Sequence, residues 1–120
     1  LHQRGTGRTF DDEIRDICAR FRLSVTLLVG DSRTIEVETG EVDLVFIDGD
    51  HSYEGVKNDF ERVGLRVKVG GAVLFDDACD EAVFHTHSES VGKLLNEIVA
   101  QQSFRLVKSV NRLAHIERVR

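Results

Sequence analysis

The sequence contains no proline, methionine or tryptophan, and only two cysteines among its 120 residues. Cys18 and Cys79 stand far apart with no further ligand at metal spacing around them. Neither a disulfide framework nor a zinc site is therefore indicated, and reduced thiols are the better reading. No apolar run approaches the ~18 residues that span a bilayer, and residues 1–8 are too polar for a signal sequence, so a cytoplasmic location is expected. A basic excess is also missing. Lys and Arg number 16 against 21 Asp and Glu, for a net charge of -5, which leaves no electrostatic footprint for a polyanion. Neither nucleic acid nor an anionic membrane is expected as a partner. Because the chain starts at Leu1 and holds no methionine, it reads as a piece of a longer protein. Its 41% hydrophobic content suffices for one modest core, so residues 1–120 are expected to form a single domain.

With no proline, the turn signals fall to Gly, Asp, Asn and Ser. Thr9 and Asp12 have the form of a capping box, and Phe10, Ile14, Ile17, Cys18 and Phe21 recur at helical spacing, which predicts a helix over 10–22. The apolar run Ser24 to Val29 stops at Gly30-Asp31-Ser32 and reads as a strand with its turn. Val42 to Ile47 repeats this pattern and stops at Asp48-Gly49-Asp50. Both runs are nearly all apolar, as expected for strands covered on two faces. Tyr53, Val56, Phe60, Val63 and Val67 share one helical stripe, which the pair Gly70-Gly71 is expected to end. Ala72 to Phe75 predicts a third buried strand ending at Asp76-Asp77. A polar stretch leads to a helical stripe of Val91, Leu94, Leu95 and Ile98, with Ser88 as its cap. Phe104 to Val110 and Leu113 to Val119 alternate as two strands of a hairpin. The alternation implies an α/β fold, Rossmann-like and three-layered, with a mostly parallel sheet and a C-terminal antiparallel hairpin.

Three successive predicted strands end in acid, at Asp31, Asp48 and Asp76-Asp77. In open parallel sheets, ligands bind beyond the carboxyl ends of the strands. Asp also follows strands simply as a turn former, but three such ends in a row point to a site. Asp48, Asp76 and Asp77 would repel one another without a cation, and their hard oxygens suit magnesium, manganese or calcium. His51 lies three residues past Asp48; the unperturbed pKa of an imidazole suits a general base near neutral pH, but taken alone this residue reads more readily as a surface or capping histidine.

Residues 43–60, DLVFIDGDHSYEGVKNDF, and 67–78, VKVGGAVLFDDA, resemble the class I S-adenosylmethionine-dependent methyltransferases, most closely the metal-dependent O-methyltransferases. The resemblance implies that Asp48, Asp76 and Asp77 bind a divalent cation and that His51 is the base, as in an Asp-x-x-His arrangement of some sugar O-methyltransferases. It further implies that Asp31 and Ser32 lie near the adenine of the methyl donor, with Asp48 and Gly49 also facing the cofactor. The expected acceptor is a small hydroxylated molecule, and a homo-oligomer is compatible with the family. The family's first strand, its glycine-rich loop and its second-strand acid have no counterpart here. Gly5-Thr6-Gly7 imitates the loop but follows only four residues, and reads as an ordinary turn. The chain thus resembles the C-terminal part of a methyltransferase domain. Two other readings stand beside this one. VFIDGD and VGDS also resemble motifs of haloacid-dehalogenase-like phosphatases, though in the wrong order, and the missing loop is equally compatible with a non-catalytic methyltransferase-like fragment.

Overall fold

The computed structural model describes residues 9–50, 52–76 and 91–120. The chain divides into two compact units, Leu1–Asp31 and Ser32–Arg120.

In the first unit, helix α1 spans Phe10–Phe21. Its capping box is formed: the Thr9 hydroxyl accepts from the Asp12 backbone N–H at 3.2 Å, and the Asp12 carboxylate accepts from the Thr9 N–H at 3.1 Å. Asp11, Asp12 and Glu13 in the first turn and Arg20 in the last complement the helix dipole. Arg22 takes a left-handed conformation at φ 56° and closes the helix. The expected strand Ser24–Val29 does not form. A strand requires a ladder partner for its backbone groups, and this run has none among the described residues; Leu23, Val25, Leu28 and Val29 are each more than half exposed.

The second unit holds a four-stranded sheet in the order β1-β2-β4-β3. Its strands are β1 (Val42–Ile47), β2 (Val67–Phe75), β3 (Phe104–Val110) and β4 (Leu113–Arg118). β1 and β2 run parallel, whereas β4 is antiparallel to both β2 and β3, so the sheet is mixed. The α/β class and the closing hairpin are as expected. Helices α2 (Tyr53–Arg62) and α3 (Val91–Ala100) pack on one sheet face. Alternation along β1 makes the two faces distinct. Val45 and Ile47 enter the core, while Leu44 and Phe46 on the opposite face are 56% and 55% exposed.

The core joins Val56 and Phe60 of α2, Leu94, Leu95 and Ile98 of α3, and Val73, Phe75 and Ile116 of the sheet. Phe60 binds the layers together, with ring centroids 6.0 Å from Phe75 and 5.3 Å, edge to face, from Phe104.

The stripe that predicts a helix from Tyr53 to Val67 is cut short. α2 ends at Arg62, a single 3-10 turn covers Gly64–Arg66, and Val67 already opens β2. Gly70-Gly71 does not end a helix; it sits within β2, where the register with β1 shifts between Val42/Val67 and Leu44/Ala72. Gly70 has φ 86°, and a Cβ on Gly71 would lie 2.8 Å from the Asp43 carbonyl oxygen, so both positions require glycine. Lys68 and Asp43 pair across β1 and β2 at 2.8 Å, which holds the Asp43 carboxyl below its ordinary pKa and the Lys68 ammonium above its own. Both are well exposed, so the pair adds little stability.

Candidate active site

The parallel register brings two of the predicted acids together. Ile47 is the partner of Phe75, and the Asp76 N–H continues the ladder by donating to the Ile47 carbonyl at 3.1 Å. Asp48 and Asp76, the next residues along, therefore emerge side by side at the carboxyl end of the parallel pair. Asp48 is exposed and Asp76 half-buried, so this edge is open to a ligand. His51 and Asp77 lie outside the described residues, as do Gly5-Thr6-Gly7 and Ser88. Among the described residues, no group of three or more His, Cys, Asp or Glu side chains forms a metal cluster. The two adjoining carboxylates supply hard oxygen donors, which fit a magnesium-like cation better than a thiophilic one. Ser32 begins an exposed turn in the second unit, and Asp31, also exposed, closes the first.

The loop after β1 is tightly organised. Asp50 does not reach outward as a third acid: its carboxylate accepts from the Ser52 N–H at 2.9 Å, an Asx-type turn. Ser52 is the N-cap of α2, its hydroxyl accepting from the Gly55 N–H at 3.1 Å. The Asp50 side chain lies against Gly55 so closely that a Cβ there would be 2.5 Å from the Asp50 carboxyl carbon. On the other side of the loop, a Cβ on Gly49 would sit 3.2 Å from the Asp59 carboxylate.

Tyr53 opens α2, and its hydroxyl donates to the Glu97 carboxylate on α3. That hydrogen bond raises the Tyr53 pKa above the ordinary phenol range, and desolvation and the negative charges of Glu97, Glu61 and Glu54 add to the rise. The Lys93 ammonium lies 4.5 Å and that of Lys57 5.7 Å from the ring centroid, both within cation–π range. A cleft of about 480 Å³ lined by Ser52, Tyr53, Glu54 and Lys93 adjoins this corner.

A family of methyltransferase domains matches residues 2–78, well over half of the chain and all of the strand-end motifs. The chain belongs to this methyltransferase family. Uncharacterized protein R132 of Acanthamoeba polyphaga mimivirus is 42% identical over 59 residues, which cover 49% of this chain and 25% of the viral protein. Among solved structures, the MycE methyltransferase of the mycinamycin biosynthetic pathway, in complex with Mg, SAH and mycinamycin VI, is similar. It aligns with a TM-score of 0.52 at 21% identity over 68% of this chain and 27% of its own. An rRNA methylase from Streptococcus thermophilus aligns over 98% of this chain and 73% of its own, with a TM-score of 0.51 at 11% identity. At these identities the structural likeness establishes the fold alone. The chain spans about a quarter of the length of the viral relative and of MycE.

Membership of a methyltransferase family displaces the phosphatase reading of VFIDGD and VGDS. Within this methyltransferase domain, Asp50, Gly55, Tyr53 and Glu97 were not singled out from the sequence. The Asp50-x-Ser52 spacing and a glycine in the first helical turn after Ser52 carried a readable signal for the first two. The Tyr53 to Glu97 contact had none, because the residues are far apart in sequence and only the packing of α2 on α3 brings them together. No helix among the described residues is long and apolar enough to cross a membrane.

Proposed function

We propose that this domain supplies the acceptor side of an S-adenosylmethionine-dependent methyltransferase that acts on a hydroxyl group of a small molecule with the help of a divalent cation. The observation that supports the reading is the Ile47 to Phe75 register, from which Asp48 and Asp76 leave the sheet together. The magnesium and SAH in the MycE complex are consistent with the same chemistry.

Methyl transfer from a sulfonium to a hydroxyl is an in-line displacement, so alignment of donor and acceptor accounts for much of the rate, and the acceptor oxygen must lose its proton. Asp48 and Asp76, joined by Asp77, would hold the cation. When bound, its chemistry is to orient the acceptor oxygen and make it more acidic. A ring nitrogen of His51 would take the proton. Asp31 and Ser32 would hydrogen-bond near the adenine, and Gly49, having no side chain, would leave its backbone open to the cofactor.

The test uses the natural full-length protein, S-adenosylmethionine and a panel of catechol-like and sugar hydroxyl acceptors, with label transfer as the readout. Activity is expected to fall on chelation and return with magnesium. Asp48→Ala and Asp76→Ala should each lower magnesium-stimulated transfer by about 100-fold or more, in the range lost with metal-ligand or charge-stabilising groups. Activity that is insensitive to chelator and to both substitutions would overturn the metal-assisted reading. Absence of S-adenosylmethionine binding by calorimetry would instead support a non-catalytic module.

A further inference from the structure

We infer that Tyr53 is a positioning residue for the strand-end loop, acting through its hydroxyl bond to Glu97. This inference rests on the proposed site at Asp48 and Asp76. The loop from Asp48 to Ser52 is anchored at its start by the β1/β2 ladder, where the Asp76 N–H bonds to the Ile47 carbonyl. Toward its end it is stiffened by Asp50 on the Ser52 N–H and by Ser52 on the Gly55 N–H. These bonds fix the loop to the first turn of α2, whose later turns pack on the core through Val56 and Phe60. At the start of the helix a further link comes from Tyr53, the first residue of α2, whose hydroxyl reaches the Glu97 carboxylate of α3.

The ring is held in place on its own account. Lys93 of α3 and Lys57 of α2 lie within cation–π range of it, and it packs against the hydrophobic core. Ring and hydroxyl thus do separable work. The ring contributes to packing, whereas the hydroxyl sets the start of α2 against α3 and so sets where Asp48 is delivered. A carboxylate that must share a ligand with Asp76 tolerates little drift, since misplacement of about 1 Å can cost 100-fold in rate. Glu97 is half-buried and serves the hydroxyl as a charged acceptor, the stronger kind of hydrogen bond.

The variants that separate these roles, made in the natural full-length protein, are Tyr53→Phe, Glu97→Ala and Glu97→Gln. Tyr53→Phe keeps the ring and loses only the bond. The thermal midpoint is expected to stay close to wild type, while amide hydrogen exchange at Gly49, Asp50 and Ser52 accelerates about tenfold and kcat falls about tenfold with KM for the methyl donor unchanged. Glu97→Ala should reproduce both effects. Glu97→Gln retains an acceptor oxygen and should restore most of the exchange protection and the rate. Wild-type exchange in Tyr53→Phe would overturn the inference whether or not methyl transfer is observed. Accelerated exchange with unchanged kcat would overturn it equally, because the loop would then be mobile without consequence. A fall in midpoint that Glu97→Gln does not rescue would assign Tyr53 to packing and reject positioning. Failure of the wild-type protein to transfer methyl groups bears on the proposed function instead, and leaves the exchange comparison intact.

Discussion

Gly55 shows how one side chain controls the candidate site. In the first turn of an exposed helix, replacing glycine by alanine ordinarily stabilises by up to about 1 kcal/mol through backbone entropy. Here the added Cβ would lie 2.5 Å from the Asp50 carboxyl carbon and 2.7 Å from its Cβ. These atoms stand close to the Asp50 backbone, so no rotation of a long side chain relieves the overlap. Asp50 must leave, and the Ser52 N–H then loses its acceptor, a bond worth about 1 kcal/mol. The clash and the lost bond together outweigh the propensity gain. Gly55→Ala is therefore expected to destabilise by about 1 kcal/mol in urea denaturation and to lower methyl transfer. Adding Asp50→Gly should recover part of the stability, since it removes the Cβ as well as the carboxylate, but should not recover the loop geometry. A cycle with simple additivity would refute the coupling. At this scale the place of Asp48 and Asp76 at neighbouring strand ends was legible, because strand ends are visible in a sequence. The work of Asp50 was hidden, because an acid beside Asp48 looks like one more ligand until the Asx turn is seen.

Among the elements, the connection into β1 is held in an unusual way. Residues 33–39 belong to no strand, yet alternate carbonyls along them face two arginines. Arg62 donates to the carbonyls of Arg33 and Ile35, and Arg66 to those of Val37 and Thr39. The guanidinium forks of α2 and the 3-10 turn thus take up these carbonyls in place of a neighbouring strand. Arg66→Lys keeps the charge and much of the aliphatic stem but loses the fork. It is expected to cost about 1 kcal/mol and to speed amide exchange across residues 36–41 while leaving β2 protected. Uniform exchange across both segments would count against a local role. This arrangement could not be read from the sequence, because Ile35 and Val37 alternate with Glu36 and Glu38 as an edge strand would, and the substitution of arginines for a ladder is a tertiary event. The helices and hairpin were readable for the opposite reason: their apolar periods are local and their caps are adjacent in sequence. Gly70-Gly71 misleads because a glycine pair serves a helix end and a strand bulge equally well, and only the register between β1 and β2 distinguishes them.

For the molecule as a whole, stability is concentrated in the layer between α2, α3 and the sheet. α1 has no buried residue, and a helix of 12 residues is marginal on propensity alone. Phe60, by contrast, is 6% exposed and touches the rings of both Phe75 and Phe104, so one side chain joins a helix to two strands that are not neighbours in the sheet. Truncation removes two ring contacts and leaves a void that β2 and β3, fixed by their ladders with β4, cannot collapse to fill. Phe60→Ala should then fall in the range of about 3–5 kcal/mol typical of buried phenylalanine. That is a large share of the stability of a domain this size, which makes Phe60→Leu the safer probe because it retains most of the volume and loses chiefly the aromatic geometry. In urea denaturation, Phe60→Leu is expected to lower the midpoint with an unchanged slope, and Phe60→Ala to lower it much further or abolish the transition. The same gradient should extend to the site. Asp48 and Asp76 leave the sheet directly after Ile47 and Phe75, two buried residues of this core, so loosening at Phe60 reaches the carboxylates through the Phe75 ring. For the cation site proposed above, a Phe60→Leu protein that is less stable yet binds magnesium as tightly as wild type would show that the strand ends are held by the ladder alone.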